Sequence, residues 1–211
     1  MNLKFDLKIL ILITLILSAI QIQSIEPKYS FFIGRTNTSF RGEAIDKTAK
    51  QKTRAGIKTQ LTRRTFITRD LAIEYGVGLA TRGAILYWPN SNTGIENHWH
   101  LRYLEVPILA TYMFPYEYKK FKLRVQHGIS YSVLINAEKS VIENSTSNRS
   151  SVFSEQSKDS IDLIFAFSLL YPPKRMLGLD VIYRLGLRGT GGTGIDIKNN
   201  SLDVGISWNI K

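Results

Sequence analysis

The stretch GTGGTGIDIKNNSLDVGISWNIK, residues 189–211, decides how this chain is read. Gly189, Gly191 and Gly194 satisfy G-x-G-x-x-G, the spacing of a dinucleotide-binding turn. That turn requires a helix directly after the glycines, because the helix N-terminus holds the pyrophosphate. Here Leu202, Val204, Ile206, Trp208 and Ile210 fall on one face, and Asp203, Gly205, Ser207 and Asn209 on the other. A period of two is a strand, not an amphipathic helix. The glycines therefore read as a loop between two strands, and no nucleotide site is expected.

The same alternation recurs towards the N-terminus. Leu177, Leu179, Val181, Tyr183, Leu185 and Leu187 oppose Gly178, Asp180, Arg184, Gly186 and Arg188. Ile161, Leu163, Phe165, Phe167, Leu169 and Tyr171 oppose Asp162, Ala166 and Ser168, and Leu123, Val125, Ile129, Tyr131, Val133 and Ile135 oppose Arg124, Gln126, Gly128, Ser130 and Ser132. Further segments centre on Leu104–Tyr112, Leu71–Leu79, Ala55–Leu61 and Tyr29–Thr38, giving eight expected strands. Short connections are expected near residues 63–66, 115–118 and 172–175; long polar ones near 40–52, 87–98, 137–158 and 189–198. Short turns at one end and long loops at the other are the habit of an outer-membrane barrel.

Side-chain size orients the faces. The apolar set is rich in Leu, Ile, Phe and Tyr, too bulky for the interior of eight strands. The polar set is dominated by glycine and serine, which suit a narrow interior. Aromatic residues gather at strand ends (Tyr87, Trp88, Trp99, Tyr112, Phe114, Tyr116, Tyr118, Tyr171), as interfacial girdles require. The expected fold is all-β: an eight-stranded antiparallel up-and-down transmembrane β-barrel with lipid outside. The alternative, a soluble periplasmic lipocalin-like barrel, would turn the apolar face inward around a ligand.

This orientation places charges inside: Asp70, Glu74, Glu105, Asp162, Asp180 and Asp203 against Lys58, Arg102, Arg124, Arg184 and Arg188. Buried charges persist only when paired, so a salt-bridged interior is expected. Its principal members are Glu74, Glu105, Arg102, Arg124, Asp162, Asp180, Arg184 and Asp203, in a structural role.

The 211 residues contain no cysteine, which excludes disulfides, thiolate metal sites and a cysteine nucleophile. Lys4 and Lys8 precede the apolar residues 9–20 and a polar exit, as in a secretory signal peptide. The expected organisation is a signal peptide over residues 1–24 and a barrel domain over 25–211. The net charge of +11 is spread over scattered positions and matches no nucleic-acid-binding motif.

Candidate chemistry is sparse. His98 and His100 flank Trp99 without an evident third ligand, so no metal and no cofactor are expected. His127 lies on the lipid-side phase, where a lipid-modifying enzyme would need a nucleophile beside it; Ser130 and Ser132 take the other phase.

The segment RYLEVPILATY, residues 102–112, resembles a hallmark of the PorT-like outer-membrane β-barrel family. Tyr103, Leu104, Glu105 and Pro107 match the Tyr-Leu-Glu-Ile-Pro run of its fourth strand, with Val106 in place of Ile. GLDVIYRLGL, residues 178–187, is similar to its penultimate strand. The resemblance implies an eight-stranded barrel in the outer membrane of a diderm bacterium, one branch of the family assisting protein secretion. A non-enzymatic barrel for surface binding, anchoring or secretion is the expected function. The expected partners are outer-membrane lipid or lipopolysaccharide, and a surface polymer or protein at the extracellular loops. At Pro107, which cannot donate to a ladder, a bulge or local break is expected. The chain should stay in the membrane fraction after a carbonate wash; release as a soluble periplasmic protein would restore the lipocalin-like alternative.

Overall fold

A computed structural model describes residues 28–42, 49–88, 95–118, 121–143, 146–152, 159–171, 177–188 and 198–210, and all regular structure among them is β. The expected signal peptide and the GTGGTG run lie outside the described residues. Ten strands follow in order: β1 (Lys28–Arg41), β2 (Lys50–Phe66), β3 (Leu71–Arg82), β4 (Ala84–Tyr87), β5 (Glu96–Tyr118), β6 (Phe121–Glu143), β7 (Thr146–Ser151), β8 (Asp159–Tyr171), β9 (Leu177–Gly186) and β10 (Lys198–Ile210).

Eight of them close a ring. β1 pairs with β2, β2 with β3, β3 with β5, β5 with β6, β6 with β8, β8 with β9, β9 with β10, and β10 returns to β1, every pair antiparallel. Closure leaves no unpaired edge within the ring. The start of β1 and the end of β10 meet at one rim, where Tyr29 faces Ile210. At this same turn end Ile67 N–H donates to Leu71 O at 2.8 Å, closing the β2–β3 connection.

The two extra strands correct the expected count of eight. β4 continues β3 beyond Gly83, whose φ of +142° favours glycine. A Cβ there would collide with the Trp99 carbonyl oxygen. Across this break the β2 register slips by one residue, from Lys58↔Ala80 to Thr53↔Ala84. β7 corrects the expected loop over 137–158: β6 continues to Glu143 and folds back, pairing Ser140 with Arg149. The far parts of β2, β5 and β6 together with β4 and β7 form a wall standing beyond the ring at the loop end. Residues 63–66, expected in a turn, belong to β2.

Alternation sets the faces as physical size requires. Ile57, Leu79, Ile129, Phe167, Leu179 and Ile206 point outward and stay exposed, while Thr36, Ser130, Ser132, Asp162, Arg184 and Asp203 are buried inside. This is the reverse of a lipocalin-like barrel. Three aromatic contacts line the outer face near the turn end: Phe31–Trp208 at 5.6 Å, Tyr112–Phe114 at 5.0 Å and Phe121–Tyr171 at 5.5 Å between ring centroids.

The interior is layered. Phe32, Leu109, Ile164, Ala166 and Ile182 form one apolar layer across the ring. Phe40, Ala84, Leu101, Tyr103, Leu134, Ala137 and Val152, with Trp99 against them, form a second at the loop end. The Phe32 ring occupies space made by the facing glycines Gly34 and Gly205, where Cβ atoms would stand 2.6 and 2.8 Å from its carbons. At Pro107 the β3–β5 ladder runs to Tyr75↔Ile108 and resumes at Gly78↔Glu105, the local break that a missing N–H produces.

A Gly205→Val substitution would bring a Cβ within 2.3 Å of the Ile33 carbonyl oxygen and 2.5 Å of Gly34 Cα as well as against the Phe32 ring, and should cost about 1–3 kcal/mol, as overpacking does. The urea midpoint of the refolded protein reads this out, and an unchanged midpoint would show that β1 and the Phe32 ring yield together.

Candidate functional site

Among the described residues ten ionisable side chains are buried inside the ring: Lys58, Arg64, Arg82, Arg124 and Arg184 against Glu74, Glu105, Asp162, Asp180 and Asp203. Five of each sign cancel, so the interior carries no net charge. Each arrives on the inward phase of its strand, where alternation turns it towards partners on the adjacent strands or across the ring.

Near the loop end a cluster of three cations and three anions centres on Glu105. Its carboxylate contacts Arg82, Lys58 Nζ at 3.5 Å and Arg184 Nη1 at 2.9 Å. Arg82 reaches Asp162 at 2.7 Å, Arg184 Nε donates to Asp203 Oδ2 at 3.1 Å, and Lys58 lies 3.5 Å from Asp203. Arg82 also sits 5.0 Å from the centroid of the Tyr103 ring.

Nearer the turn end lie two cations and two anions. Arg64 donates from Nε and Nη2 to Glu74 Oε2 at 2.9 and 2.7 Å, while Thr62 and Gln126 donate to the same carboxylate at 2.5 and 3.0 Å. Arg124 holds Asp180 at 2.6 Å and Ser168 at 3.0 Å, and Ser168 donates to Asp180. The Phe32–Ile182 layer lies between the two clusters, and the Tyr103 layer caps the upper one.

Of the expected network, Glu74, Glu105, Arg124, Asp162, Asp180, Arg184 and Asp203 are brought together inside. Arg102 is not. It shares parity with Leu104 and Val106 and points outward with them, so its placement in the interior is corrected. Two further expectations change. Asp70 sits in the β2–β3 turn, where its carbonyl accepts from Met113 N–H at 2.8 Å, and Arg188 is exposed at the loop end, 3.1 Å from Asp159. Arg64 and Arg82 were missed, although parity with Lys58 and Thr62, and with Gly78 and Ala80, marks both as inward.

The histidines take separate partners. His98 Nε2 meets Glu96 Oε2 at 3.0 Å, and Lys52 Nζ donates to Glu96 Oε1 at 2.9 Å. The hydrogen bond from His98, then that from Lys52, holds the Glu96 carboxyl below its usual range. Arg54 donates to His100 Nδ1, which therefore accepts and leaves the proton on Nε2. Burial, then the charges of Arg54 and Arg149, push His100 down to about 4. Among the described residues no three His, Cys, Asp or Glu side chains converge as metal ligands. His127 is exposed on the outer face between Ala110 and Phe165, while Ser130 and Ser132 are buried inside, so neither serine flanks it there.

A family model described as "Outer membrane protein beta-barrel domain" matches residues 21–210. No curated protein matches the chain. Among solved structures, the outer membrane protein OprG of Pseudomonas aeruginosa aligns at 11% identity over 87% of this chain and 95% of its own, with a TM-score of 0.49. Neisserial surface protein A aligns at 13% identity over 85% and 96%, TM-score 0.46. Ail, the attachment invasion locus protein of Yersinia pestis, aligns at 14% identity over 88% and 100%, TM-score 0.44.

Two measurements test this site. Glu105→Ala should leave three buried cations short of one anion and destabilise the protein by roughly 3–5 kcal/mol, read from urea unfolding. An unchanged midpoint would mean that water reaches the cluster. His100, held below the unfolded value near 6.5, contributes stability that is complete above that pH and is lost as pH falls towards about 4. Its imidazole resonance in an NMR titration should move with a midpoint well under 6; a midpoint at the free value would remove the Arg54 contact from solution.

Proposed function

The chain belongs to the outer membrane protein beta-barrel domain family, and from that membership, which places it in the bacterial outer membrane, we propose that it is a non-conducting, non-enzymatic barrel presenting its loop-end wall at the cell surface. The observation that carries this reading is the layered interior. Two neutral charge clusters and two apolar layers fill the ring, and a barrel of eight strands has little space beyond its own side chains. Transport through the centre has no path, and the outer wall offers His127 without a nucleophile. What stands free for recognition is the wall of β4, β7 and the far ends of β2, β5 and β6.

Its orientation follows from the two rims. Short turns and both termini mark the periplasmic end in barrels of this kind, and long connections the external one. An export signal over residues 1–24 fits that route. Tyr103, Leu104, Glu105 and Pro107 support placement with the PorT-like barrels, and with it a role in surface anchoring, binding or assistance of secretion. Glu105 then has a physical reason to occur in that run, since it is the carboxylate on which three cations converge.

The absence of cysteine makes the orientation directly readable. A Ser147→Cys protein should react with a membrane-impermeant maleimide on intact cells, and a Thr68→Cys protein only after the outer membrane is opened. The opposite pattern inverts the barrel. In planar bilayers the purified protein should give no large steady conductance; a stable open level would refute the filled interior.

A further inference from the structure

The one charged residue that left the expected network occupies a distinct place on the outer wall. Arg102 is exposed and has no hydrogen-bond or ion-pair partner among the described residues. It lies at the lip of a groove of about 310 Å³ with Ile57, Thr59, Leu79, Thr81 and Ile135 on its walls, a volume at the lower end of ligand clefts. The groove has a structural cause. Between Arg102↔Asn136 and Tyr103↔Leu134 the β6 strand carries one extra residue, Ile135, and a bulge of this kind re-aims side chains and bends the strand.

The surroundings are one-sided in charge. Beside Arg102, Thr81 faces it from β3 and Asn136 from β6. His100 lies above it on the same strand face, with Arg54 donating to that imidazole. Around and below it the outward side chains are mainly apolar, Ile57, Leu79, Leu104 and Ile135, with Thr59 beside Leu79. One carboxylate stands nearby: Glu138, opposite His100, accepts from Asn136 Nδ2 at 3.1 Å and is ion-paired by Arg149, so among the described residues it is engaged elsewhere than at Arg102. A cation at the polar edge of an apolar belt, with an apolar channel under it, has the chemical profile of a phosphorylated lipid: anionic head at the rim, acyl chain along the wall.

Resting on the outer-membrane reading with the loop end outward, we propose that the groove around Arg102 binds one phosphorylated lipid of the outer leaflet. The guanidinium takes the phosphate, and Ile57, Leu79 and Ile135 take the adjoining stretch of acyl chain. An arginine that merely extended to water would need neither the bulge nor the groove.

The test uses the full mature chain in phosphatidylcholine nanodiscs, titrated with bisphosphorylated lipid A and read by native mass spectrometry. Wild type should retain lipid A, and Arg102→Gln should retain it about tenfold more weakly, the loss expected for one charge-assisted phosphate contact. Ile135→Ser should also weaken retention, and Arg63→Gln, exposed at the opposite rim, should leave it unchanged. Equal retention by wild type and Arg102→Gln overturns the site, as does equal binding of dephosphorylated lipid A. Displacement of lipid A by equimolar inorganic phosphate would show that phosphate alone is recognised and overturn the lipid assignment. Heat-modifiable migration is scored in parallel. A wild-type chain that does not insert sinks the membrane reading itself, whereas inserted proteins that bind lipid A alike sink only this site.

Discussion

Neutralising ten buried charges within a ring of eight strands is the constraint on which the rest of the structure depends. An isolated ion inside a barrel loses its water and is far costlier than the fold can tolerate. The chain meets this by placing equal numbers of cations and anions at matching heights on different strands. Asp180 on β9 meets Arg124 on β6, Asp162 on β8 meets Arg82 on β3, and Glu105 on β5 gathers Lys58 from β2 and Arg184 from β9. Each contact spans the ring, so each also fixes the register of the strands that carry it. A slip of one residue would turn a charge onto the outer face.

The apolar layers complete that arrangement. Phe32, Leu109, Ile164, Ala166 and Ile182 separate the two clusters, and the Tyr103 layer covers the upper one. Buried between these layers, the ion pairs act in a less screened medium than bulk water, where attraction is stronger and an unpaired charge is more costly. The small residues opposite them are part of the same solution. Gly34 and Gly205 leave room for Phe32, and Ser132 and Ser168 supply hydroxyls where a larger side chain would displace an arginine.

Most of this was legible in the alternation, because a period of two is a geometric property of a strand and survives a change of surroundings. The seven correctly oriented members of the network follow from parity alone. Arg102 does not join the interior because it stands two residues from Leu104 and must share that face, whatever its charge. Arg64 was lost because the β2 strand runs farther than the polar TRRT run suggests, and Arg82 because a glycine follows it. β4, β7 and the wall were hidden for a different reason. The TSNRSS run of β7 is exposed on both faces and carries no periodic contrast, while β4 is only the four residues AILY, too few to show a period apart from β3. The Gly83 break and the Ile135 bulge are tertiary in origin and leave only a glycine and an extra apolar residue in the sequence.

An interior without net charge also determines where the basic excess of this chain is found. None of the +11 resides in the ring's centre, so it is carried by the outer face, the rims and the segments beyond them. Arg184 and Arg102 show the two outcomes for one residue type. On β9, Arg184 is surrounded by Glu105, Asp162 and Asp203 and functions as internal scaffold. On β5, Arg102 is exposed on the outer face and has no ion-pair partner among the described residues. The same alternation that fills the interior with matched pairs therefore leaves unmatched cations on the surface.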